Sequence, residues 1–283
     1  MKTGLVLEGG AMRGIYSAGV LDYLLEQGIH FDYIVGVSAG CGNAVNYVTG
    51  QIGRTKKVIT HENAESYFGF HQLAKNHKLL NLDKLVRGYG EEEFPFDYDK
   101  FAASDVECET VVVNCETGLA EYLSNYRDKE EFYQASMATC SLPFMSDMVE
   151  INGRKYLDGS IVDSIPVKRA VDKGCDRVVL VLTKSEDESA TDYSKLKKLI
   201  CKKYKNYPKL IEALLNRKDA YEKQLEYMGQ LERDGRLMVI RPSKPLMKRF
   251  EKDMKVVNAS YDYGYSMIQE LYPKLRAFLC TDD

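Results

Sequence analysis

Two short apolar segments near the start of the chain are each followed by a glycine-rich turn and a helical pattern. Residues 4–8 (GLVLE) and 32–36 (DYIVG) have the length and composition of buried strands. After the first segment, apolar residues recur at helical spacing from Ile15, and Gly28 is a plausible end of that helix. Parallel strands need a crossover connection, which is usually a helix. The order of the first 50 residues therefore predicts a parallel sheet with helices packed on it.

The rest of the chain continues this alternation and then becomes mainly helical. Strand-like segments occur at 110–115 and 177–182, with a helical segment at 130–140 between them. Residues 54–105 are more polar and less regular, which suggests a helical excursion over the sheet that could act as a lid. After Ser185 the composition shifts to the polar run SEDESATD, typical of a linker or an exposed loop. Beyond it we expect helices at about 193–204, 207–232 and 257–279 and a short strand at 237–241.

Composition and charge argue against several classes of protein. Lys and Arg total 39 against 42 for Asp and Glu, so the net charge of −3 gives no electrostatic reason to expect nucleic acid as a partner. The seven cysteines are scattered without CxxC spacing, which argues against a disulfide framework and a structural zinc site. The apolar run 5–7 is cut short by Glu8, and no run approaches the roughly 20 apolar residues that span a bilayer. We therefore expect a soluble, cytoplasmic protein.

Gly36-Val37-Ser38-Ala39-Gly40 fits the pattern G-x-S-x-G and lies between the second strand and the next helix. In a nucleophile elbow the serine occupies a strained backbone conformation at this position, and side chains at the two glycine positions would clash. Such a turn would present the Ser38 hydroxyl at the positive end of a helix, where developing negative charge is favoured. The alternative is a common glycine-rich turn in which Ser38 is only an N-cap.

A second glycine-rich turn, Gly9-Gly10-Ala11-Met12-Arg13-Gly14, follows the first strand. Backbone amides at a helix N-terminus bind anions, which serves either phosphate binding or an oxyanion hole for acyl transfer. The glycine spacing does not fit G-x-G-x-x-G, and no G-x-x-x-x-G-K-[ST] motif is present. Arg13 adds a fixed positive charge near the turn.

A serine nucleophile usually needs a histidine base, but the four histidines do not suit that role. They stand at positions 30, 61, 71 and 77, and none falls in a strand-end turn. Asp158-Gly159-Ser160 offers a different base, because it follows the strand-like residues 155–157. Catalytic groups of open α/β sheets lie at such strand ends, and partial burial makes a carboxylate more basic than its free pKa of ~3.9 implies. The alternative is an ordinary Asp-Gly turn.

These three motifs, in this order, resemble those of patatin-like acyl hydrolases: a glycine-rich loop with an arginine, then G-x-S-x-G, then D-G-[GS]. Ala135-Ser136 with Pro143-Phe144 is similar to a further family segment shortly before the aspartate. The resemblance covers roughly residues 4–183 and is closest at the start of that range.

The resemblance implies a three-layer α/β/α sandwich with a mostly parallel central sheet. Together with the composition shift, it predicts a core over residues 1–185 and a mainly helical C-terminal region over residues 186–283, packed on that core.

The resemblance also implies a Ser-Asp dyad that hydrolyses lipid acyl esters without a metal or another cofactor. Ser38 would be the nucleophile, Asp158 the base, and the loop from Gly9 to Gly14 the oxyanion hole. Many members of the family have a third consecutive glycine where this chain has Ala11. A positive φ would cost an alanine about 1 kcal/mol or more, so we expect a right-handed or extended conformation at Ala11.

Two other functions stay open. One is a small-ester carboxylesterase or thioesterase with the same dyad, which differs from a lipid hydrolase in its preferred acyl-chain length. The other is a non-catalytic α/β protein that uses residues 9–14 to hold a phosphate or nucleotide, whose binding would not depend on the Ser38 hydroxyl. The sequence specifies neither the head group of a lipid substrate nor an oligomeric state.

Residues 195–205 (KLKKLICKKYK) form a basic helical pattern with a narrow apolar stripe at Leu196, Leu199, Ile200 and Tyr204. One interpretation is an interfacial helix in transient contact with anionic lipid at a membrane surface. The favoured interpretation is a helix packed on the core with a solvated lysine face, because such helices are ordinary.

Overall fold

The computed structural model describes residues 1–61 and 79–280, and its centre is an eight-stranded sheet. The strands are β1 (Thr3–Leu7), β2 (Tyr33–Val37), β3 (Glu107–Asn114), β4 (Ala120–Leu123), β5 (Val149–Ile151), β6 (Arg154–Asp158), β7 (Arg177–Val181) and β8 (Leu237–Ile240). Their order is β5-β6-β3-β2-β1-β7-β8, and β4 also pairs with β3. The pairs β3–β2, β2–β1, β1–β7 and β7–β8 are parallel. The pairs β3–β4, β3–β6 and β5–β6 are antiparallel. The prediction of a mostly parallel sheet is confirmed.

Helices cover both faces of this sheet. They are α1 (Gly14–Glu26), α2 (Ala39–Thr49), α3 (Arg54–Thr60), α4 (Tyr98–Ala102), α5 (Lys129–Thr139), α6 (Val167–Asp172), α7 (Lys197–Lys203), α8 (Pro208–Leu215), α9 (Arg217–Arg233) and α10 (Met254–Cys280). Successive side chains of a strand point to opposite faces. Leu5 and Leu7 accordingly pack in a cluster with α1, α2 and α10, whereas Val6 packs in another with α6 and α9. The predicted three-layer α/β/α sandwich is confirmed.

Strands β2 and β6 meet end to end beside β3. Val111 of β3 pairs with Val37, the last residue of β2, and Val112 pairs with Asp158, the last residue of β6. Both Val111 and Val112 pair with β4 as well. Because β4 occupies one edge of β3, the strands β2 and β6 share the other edge. β2 runs parallel to β3 and β6 runs antiparallel to it, so the carboxyl ends of β2 and β6 face each other. This arrangement brings the residue after β2 next to the last residue of β6.

The region after residue 185 is built into the same sheet and the same helical layers. β8 extends the sheet parallel to β7, and α10 packs tightly along α1. Of the two expectations for the run 185–192, the exposed loop agrees with the structure, since Glu186, Asp187 and Ser189 are exposed. The run is not a free linker, because Ala190 is buried in the core and Glu188 pairs with Arg13. The boundary at residue 185 stays a prediction.

Two other segments complete the described chain. The helix predicted over 207–232 is two helices, because α8 ends and α9 begins at Asn216. The excursion at 54–105 contains α3, a π-helical segment (Lys84–Glu93) and α4. Residues 62–78 of it lie outside the described residues, and a role as a lid stays a prediction. None of the described helices combines the length and the apolar character of a membrane-spanning segment.

Candidate active site

Ser38 occupies the turn between β2 and α2 in a strained backbone conformation. Its φ of 55° and ψ of −125° lie in a region that residues other than glycine rarely adopt. Close packing requires the flanking glycines: a Cβ at Gly36 would lie 2.6 Å from the carbonyl oxygen of Gly40, and a Cβ at Gly40 would lie 2.4 Å from that of Leu7. The turn therefore has the geometry of a nucleophile elbow.

The Ser38 side chain is left available for chemistry, although the residue stands at the N-cap of α2. Its hydroxyl makes no capping hydrogen bond. The Ser38 amide instead donates to Oγ1 of Thr139 at 2.8 Å, and that hydroxyl donates to the carbonyl oxygen of Val111 at 2.7 Å. These bonds fix the backbone of the turn while Ser38 lines two cavities. The geometry disagrees with the alternative in which the side chain is only a cap.

Asp158 is buried at the end of β6, beside Ser38. Its Oδ1 accepts a hydrogen bond from the Ser160 amide at 2.8 Å, whereas Oδ2 has no hydrogen-bond partner among the described residues. Burial raises the pKa of the Asp158 carboxyl, and the Ser160 amide and the nearby Ser160 and Ser38 hydroxyls oppose this only partly. Gly159 is required here, because a Cβ would lie 2.5 Å from the carbonyl oxygen of Val111. Burial thus makes this carboxylate more basic than an exposed aspartate.

The glycine-rich loop presents unpartnered amides next to Ser38. A Cβ at Gly9 would lie 2.9 Å from the Cβ of Ser38, so the loop backbone passes directly against this residue. The amides of Gly9, Gly10 and Ala11 donate to no other group among the described residues. The amides of Met12, Arg13 and Gly14, by contrast, already donate to backbone carbonyls. Of the six residues predicted for the oxyanion hole, the first three therefore have free donors.

Ala11 differs from the expectation. Its φ is 51°, neither right-handed nor extended. Such a conformation costs an alanine about 1–2 kcal/mol. The next residue explains how the turn is held, because the Met12 amide donates to the carbonyl oxygen of Arg249 at 3.2 Å. A contact with the C-terminal region thus fixes a conformation that local preference disfavours.

Two ion pairs adjoin the loop. The Arg13 guanidinium lies 2.9 Å from a Glu188 carboxylate oxygen, so its positive charge is neutralised and ties the loop to the C-terminal region. Glu8, just before the loop, is buried and pairs with Lys184. Burial alone would raise the pKa of the Glu8 carboxyl, but the adjacent ammonium group holds it below its ordinary value. The predicted fixed charge of Arg13 is present, but it is already paired.

An apolar cavity of about 230 Å³ begins at Ser38 and Ala11. Most of its described lining is aliphatic or aromatic and includes Val58, Ile59, Leu80, Leu85, Phe96, Phe132 and Met254. Burial of a methylene group in such surroundings contributes about 0.8 kcal/mol. The cavity is therefore suited to hold a hydrocarbon chain whose polar end lies at Ser38.

A second cavity, smaller and more polar, also borders Ser38 and Asp158. Its volume is about 20 Å³. Four basic side chains line it: Arg13, Lys184, Arg217 and Arg249. Ser38 therefore lies between an apolar space and a basic one.

Three residues of α9, which none of the sequence motifs indicates, connect the parts of the site. Arg217 donates to the carbonyl oxygen of Ser160 at 2.8 Å, and Tyr221 donates to Glu8 at 3.1 Å. Gln224 hydrogen-bonds three backbone groups that follow Ser160. Their spacing of four and three residues places them on one helix face. That spacing marks a polar face in the sequence but does not indicate what the face contacts.

Neither described histidine reaches Ser38. His61 pairs with Glu93 at 3.4 Å, and neither His61 nor His30 lines either cavity. His71 and His77 lie outside the described residues. Within residues 1–61 and 79–280, no three His, Cys, Asp or Glu side chains converge in a way that could hold a metal ion.

Comparison with known proteins matches both parts of the chain to family models. The model described as patatin-like phospholipase matches residues 5–171, more than half of the chain. A second model, described only as a domain of unknown function, matches residues 207–280. The glycine loop, Ser38 and Asp158 fall within the first match, and the polar face of α9 falls within the second.

Individual relatives are similar to about two thirds of the chain. The uncharacterized protein YjjU of Escherichia coli (strain K12) is 32% identical over 187 residues, which are 64% of this chain and 52% of YjjU. Lysophospholipase NTE1 of Saccharomyces cerevisiae is 27% identical over 188 residues, which are 65% of this chain and 11% of NTE1. The chain thus spans about half of one relative and about a tenth of the other. The crystal structure of VipD from Legionella pneumophila matches with a TM-score of 0.49 and 13% identity, over 96% of this chain and 67% of that one. Because the family model spans all three motifs, the chain belongs to the patatin-like phospholipase family.

Proposed function

We propose that the protein is a serine acyl hydrolase that cleaves carboxylic esters of lipids, of the phospholipase A or lipid acyl hydrolase type. One observation carries this proposal. Ser38, strained and with an uncapped hydroxyl, adjoins the buried Asp158, whose Oδ2 is unpartnered among the described residues. Membership in the patatin-like phospholipase family supports the proposal.

In the first half of the reaction, Asp158 takes the proton of the Ser38 hydroxyl as its oxygen attacks the ester carbonyl carbon. The oxyanion of the tetrahedral intermediate accepts hydrogen bonds from the free amides of Gly9, Gly10 and Ala11. The bond between the carbonyl carbon and the alcohol oxygen then breaks. The proton passes from Asp158 to the departing alkoxide, and the acyl group remains on Ser38.

In the second half, a water molecule replaces the alcohol. Asp158 takes a proton from the water as the water oxygen attacks the acyl carbon, and the same amides stabilise the second oxyanion. The bond to the Ser38 oxygen breaks, the proton returns to Ser38, and the fatty acid leaves. The raised pKa of Asp158 suits both proton transfers, because a more basic carboxylate is a better acceptor.

The apolar cavity favours a lipid as the substrate. A cavity of about 230 Å³ with an aliphatic and aromatic lining accommodates a chain rather than a short acyl group. The yeast relative is named a lysophospholipase, which agrees with a substrate of this class. A small-ester carboxylesterase or a thioesterase with the same dyad is the alternative, and acyl-chain preference separates it from the lipid hydrolase. The other alternative, a phosphate or nucleotide cradle at residues 9–14, would not explain the strained conformation of Ser38.

Transient contact with a membrane surface is part of the proposal. In α7 and its flanks, Ile200 and Tyr204 are buried, as the packed-helix interpretation expects, but Leu196 and Leu199 are exposed among lysines. Lys203 of this helix lies over the ring of Phe144, in a loop whose Leu142 lines both cavities. A basic surface with exposed leucines near the site suits anionic lipid. The cytoplasmic location stays a prediction.

The experiment that tests the function compares hydrolysis of short and long p-nitrophenyl esters and of a lysophospholipid. We expect wild-type protein to prefer the long chain, and Ser38→Ala and Asp158→Asn to lose about a thousandfold or more in kcat. Asp163→Asn is the matched control, since Asp163 also has a raised pKa, about 6, but lines neither cavity. Full activity in folded Ser38→Ala protein would show that the proposal is wrong. A preference for short chains would favour the esterase alternative.

A further inference from the structure

The small polar cavity carries more positive charge than its ion pairs neutralise. Of the four basic side chains that line it, Lys184 pairs with Glu8 and Arg13 pairs with Glu188. The other two basic residues, Arg217 and Arg249, have no ion pair with a carboxylate among the described residues. Asp158 is the one further acidic group of the described lining, so the described side chains of the cavity and their ion-pair partners carry a net charge of at least +1.

Arg217 has a donor left over for a ligand. Its side chain is buried, with a relative exposure of 4%. Nε donates to the Ser160 carbonyl oxygen at 2.8 Å and Nη2 approaches the Ser160 hydroxyl at 3.5 Å, but Nη1 has no partner among the described residues. A buried donor of a charged group without an acceptor is costly. An anion that enters the cavity would remove that cost.

Arg249 provides a second cation at the same cavity. It is half-buried, and one Nη atom approaches the Thr191 hydroxyl at 3.4 Å, close to the limit of a hydrogen bond. Its charge acts on Arg217: burial lowers the pKa of Arg217 and the Arg249 charge lowers it further, while Tyr193 and the carboxylates of Asp158 and Glu8 oppose this only partly. Two like charges that line one cavity repel each other unless an anion lies between them.

We propose that Arg217 and Arg249 bind the phosphate monoester group of an acyl-glycerol phosphate, placing the leaving alcohol in the polar cavity. This inference rests on the proposed function and assigns the two cavities to the two ends of one substrate. The acyl chain takes the apolar cavity, and the ester carbon lies at Ser38 between them. Guanidinium groups suit phosphate because their paired N–H groups match its oxygens. The net positive charge of the described lining favours a phosphate monoester, which carries nearly two negative charges, over a choline-type head group with no net charge.

Both arginines belong to the C-terminal region rather than to the patatin-like match. Arg217 is the first residue of α9, and Arg249 precedes α10 and accepts the Met12 amide through its carbonyl oxygen. Both fall within residues 207–280, which match the domain of unknown function. The C-terminal region would therefore select the alcohol part of the substrate.

The first experiment measures kcat/KM for three substrates with the same acyl chain: an acyl-glycerol phosphate, an uncharged acyl-glycerol and an acyl-glycerophosphocholine. We expect wild-type protein to prefer the phosphate monoester by about tenfold or more, the usual effect of a charge-assisted hydrogen bond. Arg249→Ala should bring the ratio of phosphate to uncharged substrate close to one, and Arg249→Lys should restore part of it. Arg233→Ala, an exposed change on α9, is the matched control and should leave the ratio unaltered.

The second experiment tests binding without catalysis. Glycerol 3-phosphate should raise the melting temperature of Ser38→Ala protein, and this rise should vanish when Arg249→Ala is added. Inorganic phosphate is the comparison: equal stabilisation by both ligands, with no substrate preference, would identify a site for free phosphate and overturn the inference. Arg217→Lys keeps the charge but loses the forked donors, so in the Ser38→Ala background it should reduce the rise in melting temperature that glycerol 3-phosphate produces.

The two experiments separate the inference from the proposed function. If no ester is hydrolysed but glycerol 3-phosphate binds through Arg249, the phosphate site stands and the hydrolase proposal fails. If Ser38-dependent hydrolysis occurs with no phosphate preference and no Arg249 effect, the hydrolase stands and the phosphate site is wrong.

Discussion

The amide of Ser38 and the hydroxyl of Thr139 are joined by a hydrogen bond of 2.8 Å that connects the strained turn to the end of α5. The same hydroxyl donates to Val111 of β3, so one side chain bridges the turn and the central sheet. Ser38 and Thr139 are both buried. The positive φ of Ser38 is stable because such neighbours determine it, not because the residue prefers it.

Thr139→Val tests this bridge. Valine has the shape of threonine but no hydroxyl, so the buried Ser38 amide loses its acceptor, at a cost of about 1–3 kcal/mol. We expect the free energy of unfolding to fall by that amount and kcat to fall about tenfold or more, because the nucleophile is no longer held in place. Thr139→Ser is the matched control and should keep most of kcat. Urea denaturation and ester hydrolysis measure the two effects, and an unaltered kcat in Thr139→Val would show that the bridge does not position Ser38.

The pKa of Asp158 predicts the acid limb of the pH–activity profile. The carboxylate must be ionised to accept the Ser38 proton, so kcat/KM should fall as pH decreases through the pKa of the free enzyme. Burial raises this pKa, so the midpoint should lie above the ~3.9 of an ordinary aspartate. A pH series from about 3 to 9 with an uncharged ester measures it. A midpoint at or below the ordinary value would contradict the assignment of Asp158 as base.

Asp158→Asn should also stabilise the fold at neutral pH. A carboxyl whose pKa is raised on folding favours the folded state below its unfolded pKa, and that contribution is lost as pH rises through the folded pKa. Asparagine cannot ionise, so the variant should unfold at a higher temperature than wild type at pH 7, and the difference should shrink toward pH 4. For Asp163→Asn, the gain in melting temperature over wild type should likewise shrink as pH falls from about 6 to about 4, because burial raises the pKa of Asp163 to about 6. A lower melting temperature for Asp158→Asn at pH 7 would contradict this prediction.

Ala11→Gly should stabilise the protein. Glycine removes the cost of about 1–2 kcal/mol that alanine bears at positive φ, and the greater freedom of the unfolded chain offsets part of it. We expect a net gain of roughly 0.5–1 kcal/mol in the free energy of unfolding. Ala102→Gly, an exposed change in α4, is the control and should lose a similar amount, because Ala102 is helical. Equal losses in both variants would mean that Ala11 does not adopt its positive φ in solution.

The sequence predicted the local parts of the site because each motif is itself a local structure. The elbow around Ser38 needs glycines at 36 and 40, and the Asp158 turn needs a glycine at 159, so the pattern and the geometry have the same cause. The strands before the first two turns are apolar runs, whereas β6 (RKYLD) is apolar only at Tyr156 and Leu157. The observed bounds of all three strands lie close to the predicted ones. The order of the first four elements was sufficient to predict the parallel part of the sheet.

Contacts between distant segments were not predictable in the same way. The positive φ of Ala11 depends on a hydrogen bond to Arg249, more than 230 residues away in the sequence, and local preference predicted the opposite. Arg217 contacts the Ser160 turn only because α9 packs on that layer of the sheet. The end-to-end meeting of β2 and β6 is a matter of register along β3 that no pattern within either strand indicates.

Two glycines allow the C-terminal helix α10 to pack closely against α1. A Cβ at Gly264 of α10 would lie 2.1 Å from the Tyr16 carbonyl oxygen, and a Cβ at Gly19 of α1 would lie 2.1 Å from that of Tyr261. Gly264→Ala should therefore force the helices apart and destabilise the fold by about 1–3 kcal/mol or more. Gly229→Ala on α9 is the control, since its Cβ meets only a side-chain atom at 3.5 Å, and it should gain about 0.5–1 kcal/mol. Chemical denaturation measures both, and an unchanged stability of Gly264→Ala would contradict the close packing.

The basic surface of α7 and its flanks predicts binding to anionic membranes. Six lysines are exposed there, and none pairs with a carboxylate within the described part of the chain: Lys195, Lys197, Lys198, Lys202, Lys203 and Lys205. Leu199 is 56% exposed between them and could enter the lipid interface. Each lysine near such a surface contributes about 1 kcal/mol.

The test of this surface is co-sedimentation with phosphatidylcholine vesicles that do or do not contain phosphatidylglycerol. Lys197→Glu, Lys198→Glu and Lys202→Glu together should weaken binding to the anionic vesicles by about a hundredfold or more, given about 1 kcal/mol for each lysine. Lys57→Glu, Lys244→Glu and Lys248→Glu make the same change in net charge on other exposed surfaces and should bind nearly as wild type does. Higher salt should weaken the wild-type binding, because screening shortens the reach of the lysine charges. If both triple variants lose binding to anionic vesicles equally, binding depends on net charge alone. If wild-type protein binds neutral vesicles as well as anionic ones, α7 is not an electrostatic docking surface.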